Sequence, residues 1–482
     1  MSGDASALQE ILNKAEWRPR QLAHAINARL ERRGLDRHRI HPSTPYHWIK
    51  HGYCPYEPVP EIVAELLAER IGQRVTADML WPGKAAPRAA GHCADDGLNA
   101  SWSGDGTLRL LDELVAMGDV QRRSYRAVAG TPLVTVALDG LVHAPSPVTT
   151  ALGQERVLPP LMDLLDGHIA ALRRLDDRQG GSALSLRYVT NELQGVLDLV
   201  RCSSYSADTG RRLYTSVASL AQLSGWMHFD ADQAGCAQRY FLLGLRAARA
   251  ADDQACAANI LGMLAYQSAH SAQPVEAVRI GEAAGEAARP LDVVTRARIA
   301  GRLATALAAA GDVYAFRAAS DRARSLLAQR QPEDGPEFLY YFNADQLAAE
   351  SGQALVSLAV HHPGRRDMLL AEAAELLAPL SSVGPREDCQ RSALLHGCYL
   401  AEAHLLRGDL ESACAAVRTA LPRIAGVQSG RCYALLHKIR RALVQRKRSK
   451  HVATVLPDLD RAGLLAVGAT PRQRVVARTP NS

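Results

Sequence analysis

Side chains capable of covalent chemistry are present in this 482-residue chain, but in no working pattern. Cys389, His396, Cys398 and His404 lie close together, yet their spacings match no zinc-ligand arrangement. Gly180-Gly181 lacks the lysine and hydroxyl that complete a phosphate loop, and neither an HExxH nor a GxSxG pattern occurs. The sequence therefore predicts no enzyme, no cofactor and no metal. What it offers is recognition chemistry. Ser43-Thr44-Pro45-Tyr46-His47-Trp48-Ile49-Lys50-His51-Gly52 reads as a short helix with a polar and cationic face. Trp48 and Ile49 are its inward anchors, and Ser43, Thr44, Tyr46, His47 and Lys50 are left to approach base edges of double-stranded DNA.

Several elements must hold that helix in place. A first helix is expected near Ala7 to Lys14. Pro19 opens a second, whose Leu22, Ala23, Ile26 and Leu30 recur at helical spacing before Gly34 ends it. Thr44 is expected to cap the reading helix with Pro45 in its first position, where the missing N–H leaves no intrahelical bond unmade, and Gly52 closes it. Ile62, Val63, Leu66 and Leu67 make a further amphipathic helix. Its Glu61, Glu65 and Glu69 would repel phosphate, so it should face away from DNA and buttress the reader. Thr76 caps a last short element ending at Trp81. Arg18, Arg20, Gln21, Arg37 and Arg39 flank the reader and are expected to hold phosphates.

Three runs in this region, RPRQLAHAIN (18–27), HPSTPYHWIKHG (41–52) and IVAELLAERIGQRVTADMLW (62–81), together carry a resemblance. They are similar to the atypical Xre-type helix-turn-helix at the front of large actinobacterial transcriptional regulators with tetratricopeptide-like C-terminal halves. The resemblance implies that Thr44 to Trp48 begins the recognition helix and that Gly72 to Trp81 completes the domain. The chain departs from that pattern by a long insertion between Leu30 and Thr44. The run LRRLDDRQGG (172–181) resembles the connector of the same family. Membership would imply a regulator of development or secondary metabolism, since some relatives repress sporulation and antibiotic production.

Composition agrees with helices. Hydrophobic residues make up 47% of the chain but aromatics only 5%, and leucine and alanine dominate, which suits helix-on-helix packing. The net charge is +6, and between Trp17 and His51 eight Arg or Lys face two acids, so this one segment carries a surplus as large as the whole chain's. Nine scattered cysteines without CxxC spacing predict reduced thiols. No apolar run approaches the roughly 18 residues of a membrane span. A soluble cytoplasmic protein without membrane contact is expected.

The expected order is a helix-turn-helix domain over 6–83, a linker and connector over 84–156, a helical connector over 157–210, a helical array over 211–465 and a disordered tail over 466–482. Pro82 to Gly106 reads as flexible linker, and Leu108 to Met117 as a short helix. Arg122-Arg123 before an apolar stretch resembles an export signal only superficially, because the pair lies more than a hundred residues into the chain. Leu158 to Leu175 and Leu184 to Leu199 read as helices.

Beyond Arg211 a repeat emerges. Ser224-Gly225 with Ala237 and Phe241 is followed by Leu264-Ala265 with Ala277 and Ala284, then by Leu303-Ala304 with Gly311-Asp312, and later by Leu400-Ala401 with Gly408-Asp409, Ala413 and Ala420. The spacing, roughly 40, predicts a degenerate tetratricopeptide-like α-solenoid. Its concave face would dock a peptide or protein partner or form a homodimer. Asn259, Tyr266, Arg298, Arg302, Tyr340 and Asn343 are the partner-binding candidates, with His270 and Tyr341 beside them, because they are large or polar within helices of small residues. From His437 to His451 seven cations occur without an acid, which suits either a solvated face or a second, sequence-blind contact to DNA or an acidic partner.

The sequence thus predicts an all-α DNA-binding transcriptional regulator. The alternative is an adaptor that works through protein contacts alone, and a third reading is a regulator whose array senses a signal peptide.

Overall fold

The computed structural model describes residues 7–32, 39–55, 59–71, 75, 77–81, 102, 104–116, 125, 127–142, 148, 151, 153, 155–331, 334–384 and 386–463. The expected tail and Arg37 lie outside the described residues. By contacts the chain divides into two units, Met1–Asp95 and Asp96–Ser482.

The first unit carries helices α1 (Ala7–Lys14), α2 (Pro19–Arg32), α3 (Thr44–His51), α4 (Val59–Ile71) and α5 (Ala77–Leu80). Leu22, Ile26 and Leu30 are fully buried with Leu8, Leu12, Ile62 and Leu67, so the helical spacing read from the sequence does define the inward faces. Trp48 is buried too, its ring meeting Trp81 edge-on at 5.9 Å between centroids. Gly52 ends α3 in the left-handed conformation that glycine adopts without a Cβ penalty.

One local expectation is corrected. Ser43, not Thr44, stands in the cap position, and its side chain makes no capping bond. Its hydroxyl lies 2.8 Å from His41 Nδ1, and its backbone is already helical, which turns the oxygen away from the orphan N–H groups.

The second unit holds α6 (Gly104–Ala116), α7 (Thr131–Val142), α8 (Pro159–Gln179) and α9 (Ala183–Cys202), then six helix pairs. These are α10 (Ala207–Asp230) with α11 (Ala234–Ala250), α12 (Gln254–His270) with α13 (Pro274–Ala287), α14 (Val293–Ala309) with α15 (Val313–Leu327), α16 (Ala344–His361) with α17 (Arg366–Ser381), α18 (Gln390–Arg407) with α19 (Leu410–Ala420), and α20 (Gly430–Val444) with α21 (Lys450–Arg461). Successive pairs begin 39 to 51 residues apart, so the period wanders around the expected value. Two parallel two-residue strands, β1 (Glu155–Arg156) and β2 (Ser203–Ser204), are the only named strands among the described residues, and the all-α class holds. No described helix is long and apolar enough to cross a membrane.

Residues 104–106, read as linker, belong to α6. Leu111 and Leu133, from α6 and α7, join one buried cluster with array residues as far as Ile299. The stretch between α5 and α10 is therefore partly core.

Small residues let the paired helices approach. A Cβ on Gly225 would come within 2.7 Å of the Phe241 ring, which explains the offset between those two positions. Five turns share one device. Asp232, Asp252, Ala272, Gly311 and Gly408 have positive φ, and the next N–H donates to the carbonyl five residues back: Gln233 to His228, Asp253 to Ala248, Gln273 to Ser268, Asp312 to Leu307 and Asp409 to His404, at 2.8–3.0 Å. Asp253, Asp312 and Asp409 then cap the following helix. The Gly-Asp turns are readable from sequence; the other three use residues that rarely adopt this conformation.

Ala272 is the least suited of the five, since it has neither glycine's freedom nor an aspartate's local hydrogen bonding. Replacing it with glycine, Ala272→Gly, is expected to stabilise the second unit by about 0.5–1 kcal/mol. Urea unfolding followed by circular dichroism checks this, and a lower midpoint would contradict it.

Candidate functional site

In the first unit α3 presents Tyr46, His47 and Lys50 outward while Trp48 points into the core. Ser43 is exposed and Thr44 half-buried. The His47 and His51 rings stack at 6.0 Å and Tyr53 follows at 5.6 Å from His51, which makes an exposed aromatic edge beside Lys50. The chain is delivered to α3 by a two-way clamp: Asn27 on α2 donates to the Ile40 carbonyl and accepts from the Ile40 N–H, both at 2.9 Å. Arg39, next to that clamp, is exposed.

Arg18, Arg20 and Gln21 stand exposed at the start of α2, where Gln21 Oε1 accepts from the Arg18 N–H at 2.8 Å. Gln21 is thus also a helix cap. On α4, Glu65 and Glu69 pair with Arg29 of α2, so these acids bind the unit together.

In the second unit a cavity of about 60 Å³ is lined by residues of α8, α10, α12, α14, α16, α18 and the segment 338–341. Its walls are charged and aromatic. Arg298 donates to Glu350 at 2.7 Å, and Gln346 donates to the other Glu350 oxygen at 2.8 Å. The Arg302 guanidinium carbon lies over the Tyr266 ring, 4.0 Å from its centroid. Arg391 donates through Nε to the Asp176 carbonyl at 3.1 Å and through Nη2 to the Asp177 carboxylate at 2.9 Å, with the Asp176 carboxylate 3.3 Å away.

A polar chain crosses the same space: Arg431 donates to the Tyr266 hydroxyl, that hydroxyl donates to Gln353 Oε1, and Gln353 Nε2 donates to His396 Nδ1. His396 is therefore neutral with its proton on Nε2, and burial drives its pKa down to about 4.

Residues 8–80 match the family model of the SP15 N-terminal domain. The matched stretch spans the helices from α1 to α5 and includes every candidate base-reading and phosphate residue. The search of curated proteins found no match.

The six partner-binding candidates fare unequally. Tyr266, Arg298, Arg302 and Tyr340 come together on the cavity. Asn259 is buried within α12, and Asn343 caps α16 by accepting from the Gln346 N–H at 2.9 Å. Asn259, Tyr266, Arg298 and Arg302 are all at most 3% exposed, so they are interior groups and not a docking face. The sequence signal for large polar residues among small ones was sound, but it could not show that α8 and the segment 338–341 cover that face.

Reasoning from sequence missed Arg391 and Glu350, and read the run 172–181 only as a connector. Of the basic stretch, Lys438 pairs with Glu402 and Arg440 with Asp460, while Arg441, Arg446, Lys447, Arg448 and Lys450 face solvent.

Two buried carboxyls respond oppositely to their surroundings. Burial lifts Asp176 from its ordinary 3.8 to about 7, against the pull of Arg391 and with Asp177 and Asp230 adding to the rise. Burial also pushes Glu350 up, but Arg298 and Arg302 outweigh it and hold this carboxyl well below the ordinary range.

Because the folded protein holds the Asp176 proton more tightly than the unfolded chain, its contribution to stability is full below about pH 4 and is lost as pH rises towards 7. The stability gap between the wild type and Asp176→Asn is expected to narrow from pH 5 to pH 8 in urea melts. A widening gap would mean that the carboxyl is depressed. Arg391→Met, which strands Asp176 and Asp177, is expected to cost about 3–5 kcal/mol at neutral pH in the same assay.

Proposed function

We propose that this chain is a DNA-binding transcriptional regulator of development or secondary metabolism, with an N-terminal helix-turn-helix and a tetratricopeptide-like array. What carries the reading is the pairing on α3 of a buried Trp48 with outward Tyr46, His47 and Lys50. A short helix anchored on one side and polar on the other, behind a basic helix, suits entry into the major groove.

Arg18, Arg20, Gln21 and Arg39 are exposed nearby on the same unit and hold the phosphates, with Arg37 of the preceding loop, while Ser43, Thr44, Tyr46, His47 and Lys50 approach the bases. The engagement of Glu65 and Glu69 by Arg29 supports this assignment, because it draws two acids towards α2 and its cation. Cation clustering in 17–51 gives the duplex a local electrostatic target in a chain of modest overall charge.

In this reading the array forms a homodimer or takes a protein partner and so sets the spacing of two readers, from the cytoplasm. A docked peptide does not fit the cavity, which is about 60 Å³, so a peptide or protein partner would use the outer faces of the helix pairs.

Genome-wide selection of bound fragments followed by gel shift tests the proposal. His47→Ala and Lys50→Ala are each expected to weaken the preferred site, by about 1–3 kcal/mol where a base contact is lost. If Lys50 instead touches phosphate, binding weakens evenly across sequences and the salt slope falls by about 1. Wild-type sequence preference in both variants, with helicity intact, would show that α3 is not the reader.

A further inference from the structure

Arg302 is 2% exposed, and among the described residues its Nε and Nη1 have no hydrogen-bond partner. A buried guanidinium normally meets a carboxylate or a row of carbonyls, because unpaired burial of a charge is expensive. The carboxylate beside it is already committed. Glu350 accepts from Arg298 on one oxygen and from Gln346 on the other, which leaves Arg302 Nη1 3.6 Å from Oε2.

The Arg302 guanidinium carbon lies 4.0 Å from the Tyr266 ring centroid and 5.5 Å from that of Trp226, contacts that use the rings and leave its orphaned N–H groups for an acceptor in the cavity that it lines. Four arginines line the space, Arg173, Arg298, Arg302 and Arg391, against Asp176, Asp177 and Glu350. Arg391 is held by the two aspartates and Arg298 by Glu350, which leaves Arg173 and Arg302 as the lining cations without a hydrogen-bonded carboxylate among the described residues, and Arg302 is the one with two orphaned nitrogens. His396 adds an Nε2–H donor to the lining. At about 10–15 Å³ for each water, 60 Å³ accommodates roughly four to six non-hydrogen atoms, the size of a tetrahedral oxyanion or a short carboxylate.

We propose that this cavity is a binding site for a small oxyanion, a phosphate or carboxylate group, received by the orphaned N–H groups of Arg302. The anion replaces the missing counter-charge and joins α12, α14 and α16 through groups that already face one another. The site is independent of DNA recognition and lies wholly in the second unit.

Isothermal titration of the full chain with sodium phosphate, sodium acetate and glycerol 3-phosphate, each against sodium chloride at equal ionic strength, tests it. Saturable one-to-one binding of at least one of the three is expected. Binding of phosphate without the monoester means an enclosed free ion; binding of both means a group on a larger molecule whose body lies outside; binding of acetate alone assigns a carboxylate.

Arg302→Met is expected to weaken the interaction at least about tenfold, the loss of a charge-assisted hydrogen bond. It should still fold, because Glu350 keeps its hydrogen bonds from Arg298 and Gln346, and circular dichroism checks this. Arg302→Lys, which keeps the charge but not the planar fork, is expected to weaken it as well. Heat no different from chloride for all three anions, or full binding in both variants, overturns the proposal. Because the readout is anion binding, a failed gel shift leaves this result standing and a failed titration leaves the DNA reading standing.

Discussion

The second unit depends on one guanidinium. Arg391, near the start of α18, holds the end of α8 through the Asp176 carbonyl and the Asp177 carboxylate, more than two hundred residues earlier in the chain. The same end is held again where the Gln428 N–H donates to the Gln179 carbonyl at 2.6 Å, and Ser429 donates to Asp230 of α10 at 2.8 Å. An open row of helix pairs contacts only its neighbours, and its two ends are independent. Here the connector helix touches both α10 and α18, so early and late pairs are tied together. A buried ion pair of this kind adds little net stability over a well-packed apolar substitute. It does specify register, because a slip of one turn along α8 would leave charges buried without partners.

The aromatic residues follow the same logic. The chain has five tryptophans and five phenylalanines, and Trp226, Phe229, Phe338 and Phe342 stand around the arginines of this one region. Arg302, Arg391 and Arg431 all approach the Trp226 ring within 5.8 Å. Stacking gives a desolvated guanidinium a partner that needs no counter-charge. In helices otherwise packed through leucine and alanine, large rings concentrate where cations must be buried.

How far the sequence could be read depended on range. Local features came through: Pro19 at a helix start, Gly52 at a helix end, the Gly-Asp turns, and the inward spacing of Leu22, Ile26 and Leu30 are all settled within a few residues of the chain. The contacts that define the cavity were not readable. Arg298 with Glu350 spans 52 positions and Arg391 with Asp177 spans 214, and no periodicity encodes such pairings. LRRLDDRQGG stood out as a motif, but its role needed the partner on α18. Asn27 escaped notice because a single amide on a helix face looks solvated until the loop that it clamps is in place.

The two groups of cations are prepared for different tasks. Those on α3 and at the start of α2 are hydrated, and beyond about 8 Å their field is screened at physiological ionic strength. They act well on a polymer that presents many charges at once, and each contact adds little. Arg298, Arg302 and Arg391 of the second unit have lost their water on folding, and aromatic contacts and ion pairs constrain their orientation. In the lower dielectric of the interior a single hydrogen bond to such a group is stronger than one at the surface, and an unmade one is more costly. Exposure leaves the first set free to reorient in water; burial commits the second set to the few partners that the fold brings within reach.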